Sequence, residues 1–401
     1  MSVDSFRRVA ALSVVVLAIG ACGGTDGDPD DPAVEASPDA TAEEPATGED
    51  GTADEPADAE GPSGSGDPAE LEELADVIAA AQEEGMLRLN WGGTGLADSV
   101  PTLFEGFQEY YGLDLELQHD PQSQMSGNMS TLGAEFEANR AAHTDIAWGV
   151  TVHIQQGLRD GWVVPIDDYE DWSVHITEDM VDGYDGEPPL AVAGYTLYGG
   201  VVYNTDIVTE ELRTPEDILA LEHPIASTPI GAMFDRVAGP YENTLTEDEV
   251  FEFLEEFEIA GLISCGDIDR VASGEFPVLF IACSQASYHV FAEQGAPVDF
   301  RPIEGMNIAQ HNYMFFPEHA ENPNVARLFA NYVSSPEGQQ VFRDIVLADN
   351  MFAPDSRTGA EIDAWEAEGF DYVFVGLQDL RDLQEATGPD TRDRILGYFD
   401  S

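Results

Sequence analysis

The sequence predicts an α/β fold with a largely parallel sheet, and two observations carry that. From residue 69 onward, short stretches of alternating apolar residues take turns with longer stretches whose apolar residues recur every three or four positions. Strand and helix periods in alternation are the pattern of a parallel sheet flanked by helices. The chain also has 401 residues, 43% of them hydrophobic, which is enough for one large or two medium cores.

The elements follow in order. Leu71, Leu74, Ala75, Ile78 and Ala81 repeat at helical spacing and predict a helix over 71–84. Leu87-Arg88-Leu89-Asn90-Trp91 alternates as a strand and runs into Gly92-Gly93-Thr94-Gly95, a tight loop before a helix over 100–111. Leu113, Leu115 and Leu117 alternate as a second strand. A helix is expected over 129–142, a strand over 145–148, and a helix over 153–159 that stops at Gly161. Residues 195–204 are β-rich. Helices over 215–221 and 247–256 follow, then a buried strand over 276–281, a helix over 285–293 and a strand over 298–300. A strand over 312–316 leads back, before helices over 324–333 and 336–345 and an acidic, partly helical tail from Ala360.

The N-terminal region has a different character. Arg7-Arg8 and the apolar run from Val9 to Ile19 precede Ile19-Gly20-Ala21-Cys22. A basic start, a short apolar core and small residues before a cut site describe a secretory signal, too short to span a bilayer as a mature helix. The stretch resembles the bacterial lipobox, which implies removal of residues 1–21 and acylation of Cys22; more than one chain on that cysteine gives a stable membrane anchor. Residues 22–68 hold Gly, Asp, Glu, Pro, Ala, Ser and Thr with no aromatics, and read as a disordered, self-repelling acidic tether.

Charge excludes some functions. With 79 acidic and 15 basic residues the formal net charge is −64, and every basic residue is arginine. Nucleic acid and anionic membrane surfaces need basic patches, so neither is an expected partner. A saline habitat, where salt screens the self-repulsion, and drift in a GC-rich genome both account for this composition. Once Cys22 carries lipid, Cys265 and Cys283 remain. In an oxidising compartment they can form a disulfide; two buried thiols are the alternative.

Several stretches carry a family resemblance. They are Leu87 to Thr94, Phe104 to Leu117, Thr144-Asp145-Ile146, Gly157 to Pro165, Gly199 to Thr205, Val271 to Pro277, Gly295 to Pro302, Asn322 to Phe329, and Ser335-Pro336-Glu337-Gly338-Gln339. In this order they resemble extracellular solute-binding proteins of bacterial ABC importers, most closely the ferric-iron-binding-protein-like branch. The resemblance implies a two-lobed, periplasmic-binding-protein-like (type II) fold with two crossover strands. Lobe 1 is expected over 69–200 and 313–401, and lobe 2 over 201–312. A ligand is expected in the cleft, with hinge closure around it. The chain would hand its solute to a permease and its ATPase as a monomer without cofactor.

Strand ends nominate most of the site, because ligands of open α/β sheets bind at the carboxyl ends of strands; Ser227 and Thr228 instead precede a possible helix start near Ile230-Gly231, whose free N–H groups suit an oxygen-rich ligand. The candidates are Trp91, Gly93 and Thr94 on the first loop, Trp148, Tyr203, Ser227, Thr228, Ser284, Tyr288, Asn312 and Tyr313. Each has an alternative reading as core, turn or helix cap. Ferric relatives hold iron with adjacent tyrosines, but Ser284 to His289 offers only Tyr288, so no metal site is expected. Arg236 is the only basic residue near the second-lobe loop, and the overall field opposes anions; the expected solute is a small polar organic molecule or a cation. There is no Gly-x-Ser-x-Gly, no His-Glu-x-x-His and no lysine for a Ser–Lys pair or a phosphate loop, so no catalysis is expected. A sensor or interaction lipoprotein on the same fold is the rival reading, and a tethered enzyme the second.

Overall fold

A computed structural model describes residues 64–92, 96–121, 124–229, 234–387 and 390–399. All of them lie in one compact unit, Ala59–Ser401. The signal segment, Cys22, nearly all of the tether, and Gly93 and Thr94 lie outside the described residues.

The body opens with α1 (Pro68–Glu73) and α2 (Ala75–Glu84), then β1 (Met86–Leu89), α3 (Leu96–Tyr111), β2 (Glu116–His119), α4 (Met125–Glu137), β3 (Ala147–Gly149), α5 (Thr151–Asp160) and β4 (Val163–Val164). The single helix expected over 71–84 is two, because the backbone leaves the helical region at Leu74. The chain continues with α6 (Tyr169–Trp172), β5 (Val181–Asp182), β6 (Ala191–Tyr198), β7 (Gly200–Asn204), α7 (Pro215–Leu219), β8 (Ile225–Ser227), α8 (Glu247–Glu256), β9 (Gly261–Leu262) and α9 (Ile268–Ala272). Then come β10 (Val278–Ala282), α10 (Gln285–Glu293), β11 (Val298–Arg301), β12 (Ile308–Pro317), α11 (Pro323–Ser334) and α12 (Pro336–Val341). The tail forms α13 (Arg357–Ala367), β13 (Val373–Phe374), α14 (Leu377–Thr387) and α15 (Thr391–Gly397).

Two larger sheets and a parallel two-stranded sheet, β1-β2, organise these elements. The first is centred on β12, which is buried along its whole length and pairs with β13, β6, β3 and β4. Antiparallel pairing of β12 with β3, β4 and β6 makes this sheet mixed, against the largely parallel expectation. One face is covered by α2, α3 and α11, through residues such as Ile78, Phe107 and Phe329. The other is covered by α4 and α5, through Met129, Leu132 and Ile154. The second sheet runs β11-β7-β10-β8-β9, with β8, β9 and β10 parallel and β7 antiparallel to β10 and β11.

The two sheets meet where the chain crosses twice. Only Gly199 separates β6 of the first sheet from β7 of the second, and its N–H donates to the Ile308 carbonyl at the start of β12. Most apolar groups of the tail pack on the second sheet, while β13 pairs with β12 and Leu377 joins the core around Ile154 and Tyr313. Val375, Leu380, Leu383, Ile395 and Phe399 share a core with Phe234, Phe253 and Phe280, and Ile362 packs with Val202 and Leu279. Cys265 and Cys283 are joined as a disulfide, with Cα atoms 5.5 Å apart, tying the loop after β9 to the end of β10.

Candidate functional site

Strand direction fixes which residues reach the crossover. Gly200, the start of β7, lies opposite Ala282, the end of β10, and β8 runs parallel to β10. Ser227, Thr228 and Ser284 therefore leave the second sheet at the edge where β7 begins, beside Gly199. Tyr203 does not. It lies opposite Val278, at the other end of β10, about 10 Å along the strand at 3.3 Å per residue. Its hydroxyl donates to Asp299 Oδ2 at 3.1 Å, and Asn204 Nδ2 donates to the Val271 and Ala272 carbonyls. Tyr203-Asn204 is a structural bracket away from the crossover, because β7 runs away from it.

On the first sheet, Gly149 at the end of β3 lies opposite Tyr313 of β12. The chain then turns into α5, where His153 Nδ1 accepts from the Val150 N–H at 3.1 Å. A Cβ on Gly149 would stand 2.8 Å from that nitrogen, so only glycine lets His153 fold back there. Between Asn312 and Tyr313 the pairing with β6 skips one residue, and Gly194 bulges out. Bulges of this kind re-aim side chains next to binding sites. The Gly194 carbonyl is taken by Gln339 Nε2 and the Ala193 carbonyl by Asn350 Nδ2, both at 2.9 Å.

The expected tryptophans are core. Trp91 is fully buried, donates Nε1–H to the Ile146 carbonyl at 3.2 Å and packs on Trp148 with ring centroids 4.4 Å apart. Trp148 also meets Tyr195 and Phe342. Both rings fill the cluster under α3 and α11, where burying aromatic area stabilises most. The Tyr313 hydroxyl is committed to Asp182, which also accepts from the Leu377 and Gly183 N–H groups. Tyr288 faces α13: with Tyr198, His289, Phe300, Glu361 and Trp365 it lines a cavity of about 200 Å³. The Glu361 carboxylate there already bonds Tyr198, His289 and Arg357.

A different set of groups lines the crossover. Buried atoms with no hydrogen-bond partner among the described residues include Ser227 Oγ, Thr228 Oγ1, Thr151 Oγ1, Arg236 Nε, His311 Nε2 and Asn312 Oδ1. Buried polar groups are rarely left unpaired, because each costs its desolvation. Ser227 and Thr228 end β8, Thr151 begins α5, and His311 and Asn312 lie on β12. Arg236 links the two sheets. It closes a short turn, Phe234–Arg236, on the segment that leaves β8, and its Nη1 donates to Gln310 Oε1 on β12.

Arg236 is 4% exposed. Burial pushes its guanidinium pKa down. Burial also lowers His153 to about 4, with the Arg236 cation adding to the shift. Burial takes His311 to about 3, so both histidines are neutral at pH 7. Of the expected residues, Ser227, Thr228 and Ser284 leave the second sheet at this edge, and Asn312 lies on β12 two residues from Gln310. The sequence reading misses Thr151, His153, Gln310 and His311, and Arg236 enters it only as a nearby basic residue. A lone arginine following a strand, in a chain nearly devoid of cations, is the signal that could have found the site.

Residues 266–344 match the family of bacterial extracellular solute-binding proteins. This span runs from the disulfide loop through β10, α10 and β12 to α12. No curated protein matches the chain in sequence. Solved structures match its fold across most of its length. An ABC transporter substrate-binding protein from Bradyrhizobium japonicum USDA 110 aligns at TM-score 0.60 and 13% identity, covering 78% of this chain and 99% of its own. The periplasmic binding protein AgtB from A. tumefaciens R10, in complex with agropinic acid, aligns at 0.58 and 12%, covering 79% and 99%. AfuA from Actinobacillus pleuropneumoniae, with fructose-6-phosphate bound, aligns at 0.53 and 16%, covering 78% and 97%. The chain has the fold of the ABC transporter substrate-binding proteins, and its segment from 266 to 344 matches the bacterial extracellular solute-binding family.

Proposed function

We propose that this chain is the lipid-anchored solute-binding component of an ABC import system. It captures a small solute between two lobes and delivers it to a membrane permease with its ATPase. The observation that carries this reading is the set of unpartnered buried polar groups on β8, α5 and β12, gathered at the paired crossover. Clefts between domains with a few convergent polar groups are where small molecules bind. AgtB and AfuA, which share the fold, were solved with small organic solutes.

In this reading, residues 69–200 and the strand from 313 build lobe 1, and 201–312 build lobe 2. The tail from 357 goes with lobe 2, where most of its apolar residues pack. The lobes open and close about Gly199 and the start of β12. Cys22 carries the anchor, residues 22–68 hold the body clear of the membrane, and no catalytic step is assigned to any residue.

The test is a thermal-shift screen of the full chain, purified in mild detergent and high salt, against sugars, amines, carboxylates, phosphates and ferric iron. A ligand of the folded state at a hundredfold excess over its Kd adds about 2.7 kcal/mol of stability. No shift from any class, with the protein folded, would sink the solute-binding reading. For the anchor, Cys22→Ala is expected to abolish incorporation of labelled fatty acid in cells; labelling that persists would remove it.

A further inference from the structure

We infer that the solute carries an oxyanion, a carboxylate or a phosphoryl group, and that Arg236 is the residue that binds it. This deepens the solute-binding reading and rests on it.

The argument starts from charge. The chain carries 79 carboxylate residues against 15 arginines, so an arginine without an acidic partner is unusual. Among the described arginines, all but Arg140 and Arg236 are in ion-pair contact with a carboxylate. Arg140 is exposed, where water solvates it. Arg236 is buried, its guanidinium donates to the neutral amide of Gln310, and its Nε has no partner among the described residues. The adjacent Asp235 attracts it, but that carboxylate is held by Arg392 Nε at 2.9 Å.

A buried cation without a bonded counter-charge is costly, and the fold stands to gain by supplying one. A planar guanidinium with free N–H groups matches the two oxygens of a carboxylate or phosphate. The surrounding unpartnered atoms suit the same ligand. Ser227, Thr228 and Thr151 offer hydroxyl donors, and Asn312 Oδ1 offers an acceptor for a polar group elsewhere on the solute. Thr151 is the first residue of α5, whose positive N-terminal end favours an anion.

The overall charge of −64 does not oppose this at short range. Salt at physiological strength screens exposed charges beyond about 8 Å, and a buried guanidinium is screened far less. The expectation of a small polar organic solute or a cation, drawn from the net charge, is narrowed by the local field to a solute with an oxyanion.

The test compares wild type with Arg236→Met and Arg236→Lys, as full chains in detergent and a fixed concentration of sodium chloride. The probes are inorganic phosphate, fructose 6-phosphate and 4-aminobutyrate, with glucose and putrescine as neutral and cationic controls. At least one oxyanion-bearing probe is expected to raise the wild-type melting temperature; response to the zwitterion 4-aminobutyrate, set against putrescine, or to the phosphates tells carboxylate from phosphoryl. In Arg236→Met the affinity for that probe should fall about 10- to 150-fold, the range of a charged hydrogen bond, with partial recovery in Arg236→Lys. Ligand-free Arg236→Met should melt at or above wild type, because it loses an uncompensated buried charge.

If glucose or putrescine shifts wild type and Arg236→Met alike, the inference is overturned while the solute-binding reading stands. A ligand-free Arg236→Met that melts well below wild type and still binds the anion as tightly makes Arg236 a structural hook, and also overturns it. No shift of the wild type by any probe removes both.

Discussion

Replacing Cys265 and Cys283 with alanine gives a clean measure of how the second sheet is held. The two cysteines are 18 residues apart, and their bond closes a loop through α9 and β10. In the loop-entropy model a cross-link of that span removes about 11 cal/mol/K from the unfolded chain, or about 3 kcal/mol at 25 °C. Local packing is separate, since Val271 and Leu279 stay buried whether or not the sulfurs are joined. The assay is urea unfolding of the double variant and of the native chain, each with and without dithiothreitol. The oxidised native chain should be more stable than the double variant by about 3 kcal/mol. For a single transition in a body this size, that is roughly 4 °C in melting temperature. Dithiothreitol should remove the difference from the native chain and leave the variant unmoved. Equal stability of oxidised and reduced native chain would refute the reasoning, since the bond would then constrain nothing the folded state does not already fix.

Three further outcomes follow from the packing and the charges. Gly194→Ala puts a Cβ 2.4 Å from Trp148 Cη2, and overpacking at the β12 bulge should cost about 1–3 kcal/mol in chemical denaturation; an unchanged midpoint would mean that Trp148 has room to move. Asp145→Asn breaks a partly buried pair, in which the buried Asp145 holds Arg88 at 2.7 Å and Asn322 Nδ2 at 3.0 Å while Arg88 also meets the exposed Glu321 at 2.7 Å. A loss of about 1.5–3 kcal/mol is expected, the range of a hydrogen bond to a charged group, and a loss under about 1 kcal/mol would show that the pair contributes no more than exposed pairs do. On acidification His311 and His153 must stay neutral while folded, at about 3 and about 4. The unfolded chain takes up their protons below about 6.5. Stability is therefore full above that pH and falls from there toward about 3, with each histidine contributing up to about 1.4 kcal/mol per pH unit; His311→Gln should flatten the slope of unfolding free energy against pH, and an unchanged slope would refute the assignment.

The sequence by itself determined which segments are helix and strand, because hydrophobic periodicity is local. Glu247–Glu256 and Gln285–Glu293 fold with the bounds their apolar spacing implies. Local order also nominated Ser227 and Thr228 before a possible helix start, Ser284 after a buried strand and Asn312 at the beginning of the strand leading back. The tertiary structure decided what local pattern cannot encode. Whether Tyr203 or Gly200 faces the crossover depends on the direction of β7 against β10, a pairing between residues about eighty positions apart. Trp91 and Trp148 sit in the core because helices α3 and α11 close over them. The tail packs on the second sheet because Leu380 and Phe399 complete a core begun by Phe234 and Phe253. Arg236 follows the same rule: its sequence neighbour Asp235 suggests an ordinary ion pair, but in the fold Arg392 takes Asp235 and leaves the buried guanidinium against Gln310.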